Sequence, residues 1–124
     1  MAVTPEIVHG DEWLDRIARF RVEVWTLSDM IAPDAFPDGR CLEAVDRDAT
    51  QIVVADEGRL LGATRYAQFP DLDSTHLGTY YREAGIDLEG PIGVPERMVV
   101  HPDVARQGVA WTLAAAIQKQ ALSQ

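Results

Sequence analysis

The chain has 124 residues, 47% hydrophobic and 25% charged, which allows one core burying about two-thirds of the unfolded surface. Its formal net charge of −9 excludes the clustered basic face of a nucleic-acid binder and disfavours adhesion to anionic membranes, while it suits a cationic amine. The one cysteine, Cys41, cannot close an intramolecular disulfide and fits a reducing cytoplasm. No apolar run nears the roughly 20 residues that span a bilayer, and Met1 to Glu6 has no signal-peptide pattern. Ten of the eleven basic residues are Arg, with Lys119 the exception, a bias expected of a GC-rich bacterial genome.

Ile7-Val8-His9 reads as a short first strand closed by Gly10, and Asp11 as the N-cap of a helix. Trp13, Ile17, Phe20, Val24 and Leu27 recur at spacings of four and three, one face of an amphipathic helix. Arg16, Arg19 and Glu23 fall off that stripe, and Arg21 is assigned to a solvated face. Residues 28–39 hold two prolines, three aspartates and a glycine, so they form a loop. A short helix is expected over Arg40–Val45.

Gln51–Ala55 is a β-branched strand, Asp56-Glu57-Gly58 a turn, and Arg59–Phe69 a second strand of a hairpin. Residues 70–93 are mostly polar, with a short helix expected over Leu77–Ala84 and a break at Gly90-Pro91. Val94–Val100 reads as a fourth strand that Pro102 stops. Gln107 to Ala121 lacks breakers after Gly108 and reads as a helix. A hairpin inside this alternation predicts a mixed sheet with helices packed on it.

The informative segment runs from Glu96 to Ala110: a strand, a proline-stopped turn, and a glycine-containing helix start. The first turn of a helix carries unpaired N–H groups and the positive end of its dipole. Small residues at Gly108 and Ala110 let a bulky anion approach, so the turn suits a phosphate or pyrophosphate. Neither G-x-x-x-x-G-K-[ST] nor G-x-G-x-x-G occurs, so an NTPase loop and a dinucleotide fold are unsupported.

Val100-His101-Pro102 and Gly108-Val109-Ala110 resemble the GNAT acetyltransferases, in which a strand ends in Val-x-Pro and the next helix opens with Q/R-x-x-G-x-G/A. The amphipathic first helix and Val53-Val54-Ala55-Asp56-x-Gly58-x-x-x-Gly62 agree with that order. Ala105 stands where the family places Gln or Arg, with Arg106 directly after it. Arg21, Gly62, Arg65 and Glu96-Arg97 are further similar to autoinducer (acyl-homoserine-lactone) synthases and related N-acyl amino acid synthases.

The resemblance implies an α/β (α+β) fold with a mixed, mainly antiparallel sheet flanked by helices. It also implies one domain over residues 1–124, truncated at its C-terminal end, because the family continues with further strands. Acetyl-CoA or another acyl-CoA would be the co-substrate, with no metal, and a small-molecule amine the acceptor. Backbone amides of Arg106, Gln107, Gly108, Val109 and Ala110 would hold the CoA pyrophosphate. The backbone of Met98, Val99 and Val100 would pair with the pantetheine arm. Glu96 would be the general base, directly or through water, and Trp25 and Arg65 would lie on the substrate side.

Plainer readings stand beside these. Glu96 is a solvated or Arg-paired carboxylate, Arg65 and Arg97 are strand-edge salt-bridge partners, and Trp13, Phe20 and Trp25 are core. Trp111 packs on the sheet, and Asp71 and Asp73 form a polar turn. His9, His76 and His101 lack metal-ligand spacing. Two non-enzymatic alternatives remain: a ligand-binding module that keeps the fold, and a homodimer or partner strand that completes the sheet at the fourth strand's open edge.

Overall fold

The computed structural model describes residues 3–123. Four strands pair antiparallel in chain order: β1 (Pro5–Val8), β2 (Thr50–Asp56), β3 (Arg59–Phe69) and β4 (Ile92–Val100). Helix α1 (Asp11–Leu27) joins β1 to the loop before β2, α2 (Gly78–Glu83) lies between β3 and β4, and α3 (Val109–Leu122) follows β4. The result is the expected α/β class with helices on the sheet, and every strand pairing among the described residues is antiparallel rather than mixed.

The register divides the sheet into two faces. Val53, Ala63 and Val99 stand side by side across β2, β3 and β4. They pack with Ile17, Phe20 and Val24 of α1. Alternate residues point the other way, so Ile52 and Val54 meet Val109 and Leu113 of α3. Gly62 faces α3 as well: a Cβ there would sit 2.5 Å from Val109 Cγ1 and 3.1 Å from Leu113 Cδ1. Its missing side chain is what lets α3 approach β3 so closely.

Two irregularities shape β3 and its neighbours. Between β2 and β3 the register shifts after Val54, so the successive residues Leu61 and Gly62 both face α3, while Leu60 and Ala63 face α1. Between β3 and β4, Thr64 faces both Arg97 and Met98, and Arg97 takes a left-handed φ of 56°. This is a bulge, which bends the strand and re-aims its side chains. The β2–β3 turn is a two-residue one, Glu57 and Gly58, both with positive φ, the geometry that matches strand twist.

Several expectations need correction. Gly10, not Asp11, is the N-cap of α1, and Asp11 is its first helical residue. Leu27, the last residue of the helix, is 58% exposed rather than part of the buried stripe. Arg40–Val45 is not a helix; a 3-10 turn covers Ala44–Arg47 instead. Trp111 does not pack on the sheet but is 82% exposed, since Val109 and Leu113 take the inward positions of α3. Arg21 is not solvated at all, being 1% exposed. Arg65 is not at an edge, because β3 is an inner strand.

Candidate functional site

Beyond β4, His101 caps a short 3-10 turn over Pro102–Val104, its Nδ1 accepting from the Asp103 amide at 3.1 Å. The His101 ring stacks on Phe20 with centroids 6.4 Å apart, and its amide donates to Leu61 O at 2.8 Å. That ties the turn to both β3 and α1. Arg59 pairs with Asp103 at 3.0 Å. Arg106 and Gly108 then adopt left-handed φ values of 66° and 88° before α3 starts.

The amides of this turn decide whether it can take an anion. Gln107 donates to Val104 O at 3.2 Å, and Thr112 is the first amide to return a bond to the turn, to Gly108 O at 3.0 Å. Among the described residues, the amides of Arg106, Gly108, Val109 and Ala110 have no backbone acceptor. Apart from its chain neighbours, nothing described lies within 4 Å of where a Gly108 Cβ would stand. The residues present therefore fit an approaching pyrophosphate: free donors, an open approach, and the positive end of a helix of 14 residues. The amide of Gln107 is the one in the expected set already engaged within the chain.

Along the sheet from this turn, Met98 and Val100 lie on the strand whose outer edge has no partner among the described residues. Val99 is buried among the α1-side core residues. A groove of about 350 Å³ beside that edge is lined by Thr64, Pro95, Glu96, Met98, Ala114 and Ile117.

On the α1 face a second grouping gathers. Gln51, Arg65 and Glu96 form one cross-strand row, set by register. Asp46, on the 3-10 turn, covers it. The Asp46 carboxylate accepts two bonds from Arg21, at 2.9 and 2.8 Å, one from Arg65 at 3.1 Å and one from the Glu43 amide at 2.7 Å. Arg21, Asp46 and Arg65 are 1%, 1% and 2% exposed. Arg65 reaches onward to Glu43 at 2.8 Å and to Glu96 at 3.3 Å. Arg97 clasps Glu43 from the rim, at 2.7 and 3.1 Å. His76 Nε2 lies 2.9 Å from the second oxygen of Glu96.

Charge balance explains how this survives burial. Three guanidinium groups meet three carboxylates, and isolated charges at such depth would be prohibitive. Burial alone raises the Asp46 pKa, but the Arg21 bonds, the Glu43 amide and the charges of Arg21 and Arg65 outweigh it and hold the group well below the usual carboxylate range. The Arg97 bonds, against some desolvation and helped by Arg65, lower Glu43 to about 2. Burial disfavours charge on Arg65, yet Glu43 and Asp46 raise its pKa. Burial pushes the Cys41 thiol up. Arg21 Nε, Arg65 Nε and Gln51 Oε1 are buried without a hydrogen-bond partner among the described residues.

The expected residues fall into two places. Arg106, Gly108, Val109 and Ala110 bracket the open turn, and Met98 to Val100 lead into it. Glu96 and Arg65 belong to the charged cluster. Trp25 stands apart, half-buried, its ring 6.1 Å from that of Phe36. Sequence reasoning missed Glu43, Asp46 and His76. Glu43 and Asp46 carried a faint signal, two carboxylates three apart after a loop; His76 carried none.

A fold of helices on an antiparallel sheet, with an open helix start beside a bulged edge strand, is the frame of an acyl-group transferase. A family model described as the acetyltransferase (GNAT) family matches residues 11–124, and the chain belongs to that family. Family members generally use acyl-CoA as co-substrate and an amine as acceptor, so an acetyltransferase-type function follows in general terms. No curated protein matches the chain. Among the described residues, no helix is long and apolar enough to cross a membrane, and no group of three or more His, Cys, Asp or Glu could hold a metal ion.

Proposed function

We propose that this chain moves an acyl group, most simply acetyl, from a CoA thioester to a small-molecule amine by direct attack. The observation that carries the reading is the set of free amides at Arg106, Gly108, Val109 and Ala110, next to the unpartnered edge of β4. Those donors hold the pyrophosphate, and backbone groups of Met98 to Val100 align the pantetheine arm. Glu96, whose carboxylate stands on the α1 face of that edge strand beside Arg65, is the base that takes the amine proton, directly or through a water. Arg65 acts on the acceptor side through the carboxylates it holds, whereas Trp25, packed near Phe36, has no contact among the described residues that supports the acceptor role expected of it.

A finer assignment has its own support. Arg21, Arg65 and Arg97 carry the similarity to acyl-homoserine-lactone and N-acyl amino acid synthases, and all three join one ion-paired cluster around Glu43 and Asp46. A buried network left partly unsatisfied is a poor stability device. Its presence points to recognition of a charged acceptor such as an amino acid or its derivative.

Titration calorimetry with CoA and acetyl-CoA tests the reading, followed by acyl transfer to a panel of amino acids and simple amines. Binding at micromolar ligand is expected, and none at millimolar ligand ends the proposal. Ala110→Asp puts a negative charge at the start of α3, where it favours the helix but repels phosphate. It is expected to weaken CoA binding roughly tenfold while leaving thermal stability unchanged or raised.

A further inference from the structure

The route of the amine proton can be taken one residue further. Glu96 has both oxygens engaged: Oε1 with Arg65 at 3.3 Å and Oε2 with His76 Nε2 at 2.9 Å. The Glu96 side chain is 17% exposed, whereas that of His76 is 57% exposed. The carboxylate thus sits at the cluster's edge, and the imidazole stands between it and the outside.

His76 is held by a built turn rather than a free loop. Asp71 accepts from the Ser74 amide and hydroxyl at 2.8 and 2.7 Å. Thr75, itself buried, donates its hydroxyl to Leu72 O at 2.8 Å, and its oxygen accepts from the Leu77 amide at 3.2 Å. Leu72 anchors the turn at 2% exposed. At Gly78 a Cβ would come within 2.7 Å of Leu72 O, so the chain closes tightly just past the histidine. The charged neighbours on this segment, Asp73 and Arg82, neutralise one another at 2.7 Å. Arg65 from β3 and Arg97 from β4 are the cations facing the Glu96 side, each drawn to Glu43 as well.

From this geometry we infer that His76 is the proton acceptor for the attacking amine, oriented and charge-compensated by Glu96. The inference rests on the acyltransferase reading but reassigns one step of it: the amine proton given above to Glu96 goes to His76 instead, and Glu96 becomes the residue that positions the imidazole. With its Nε2 hydrogen directed at Glu96, the ring offers the Nδ1 lone pair as base, the arrangement by which carboxylates fix a histidine tautomer. As the amine nitrogen bonds to the acyl carbon, its proton passes to His76 Nδ1. The carbon–sulfur bond breaks with its electron pair on sulfur, and the Nδ1 proton then leaves to that sulfur or to water. Amide and free CoA thiol are the products, and His76 returns to its neutral form. Glu96 stays ionised throughout, between Arg65 and the imidazolium that forms.

Two measurements test this. Long-range proton–nitrogen NMR on the intact chain reads the His76 tautomer without any substrate. The expected state is hydrogen on Nε2 and a bare Nδ1, shifting to a tautomer mixture in Glu96→Gln; hydrogen on Nδ1 in the unaltered chain overturns the inference. In the transfer assay, His76→Ala is expected to lower kcat about 100-fold, with CoA affinity unchanged and activity partly restored by added imidazole. His76→Asn keeps a donor toward Glu96 but no base, so it is expected to be as slow as His76→Ala. An unaltered chain that transfers acyl groups while His76→Ala keeps its kcat overturns the role of His76 alone. An unaltered chain that binds no CoA overturns the transferase reading and this inference together.

Discussion

The two faces of the sheet solve opposite problems with the same strand. Toward α3, β3 offers Gly62, and the helix packs onto it through Val109 and Leu113. Toward α1, the same strand offers Arg65, and the space is filled by Arg21, Asp46 and Gln51. The apolar face is stabilised by contact area and is tolerant in kind, though not in volume. The charged face is only as good as its pairing, since each member is stable there because the others are present. Close packing therefore fixes where the α3 start stands, and ion pairing fixes how the charged side chains of the α1 face are arranged.

Removing the shared anion is the most severe way to break that contrast. Asp46→Ala leaves Arg21 and Arg65 buried without their common partner and is expected to lower stability by about 3–5 kcal/mol, read from the urea midpoint. Gly62→Ala attacks the other face by overpacking, with an expected loss of about 1–3 kcal/mol. Because the added methyl displaces α3 at Val109, weaker CoA binding is expected alongside, measurable by calorimetry.

Acid separates the faces without mutation. Glu43 has its pKa depressed from 4.5 to about 2, so its stabilising contribution is complete above 4.5 and lost as the pH falls toward 2. Asp46, depressed as well, extends that loss further into acid. The urea midpoint is expected to fall across this window in the unaltered chain and less steeply in Glu43→Gln. The smallest effect is reserved for the rim: Arg97→Ala removes a half-exposed pair and is expected to change stability by less than about 1 kcal/mol. A loss as large as that of Asp46→Ala would place the rim inside the cooperative cluster.

Much of this was legible along the chain, for reasons that can be named. The hairpin announced itself through Glu57-Gly58, and β4 through Pro102, because turn chemistry is local. The α3 turn was legible as a turn because Pro102 stops the strand and Gly108 takes the left-handed backbone before the helix. Arg21 shows where local reading fails. It lies four residues after Ile17 and three before Val24, on the inward stripe, yet its charge argued for solvent. Only a carboxylate 25 positions away, on a turn without strong propensity, makes that burial affordable. His76 escaped notice for the same reason, since its partner is twenty residues on and joined through the sheet. Trp111 failed in the other direction, because helix phase outranked its hydrophobicity.

The kink in β4 also bears on how this sheet behaves in a crowded solution. A foreign strand laid along that outer border would meet Pro95, which has no amide hydrogen, and then the left-handed backbone at Arg97. Continuous pairing could run only through the last three residues, too short a stretch to seed runaway sheet growth. The border can thus stay unpaired without inviting aggregation.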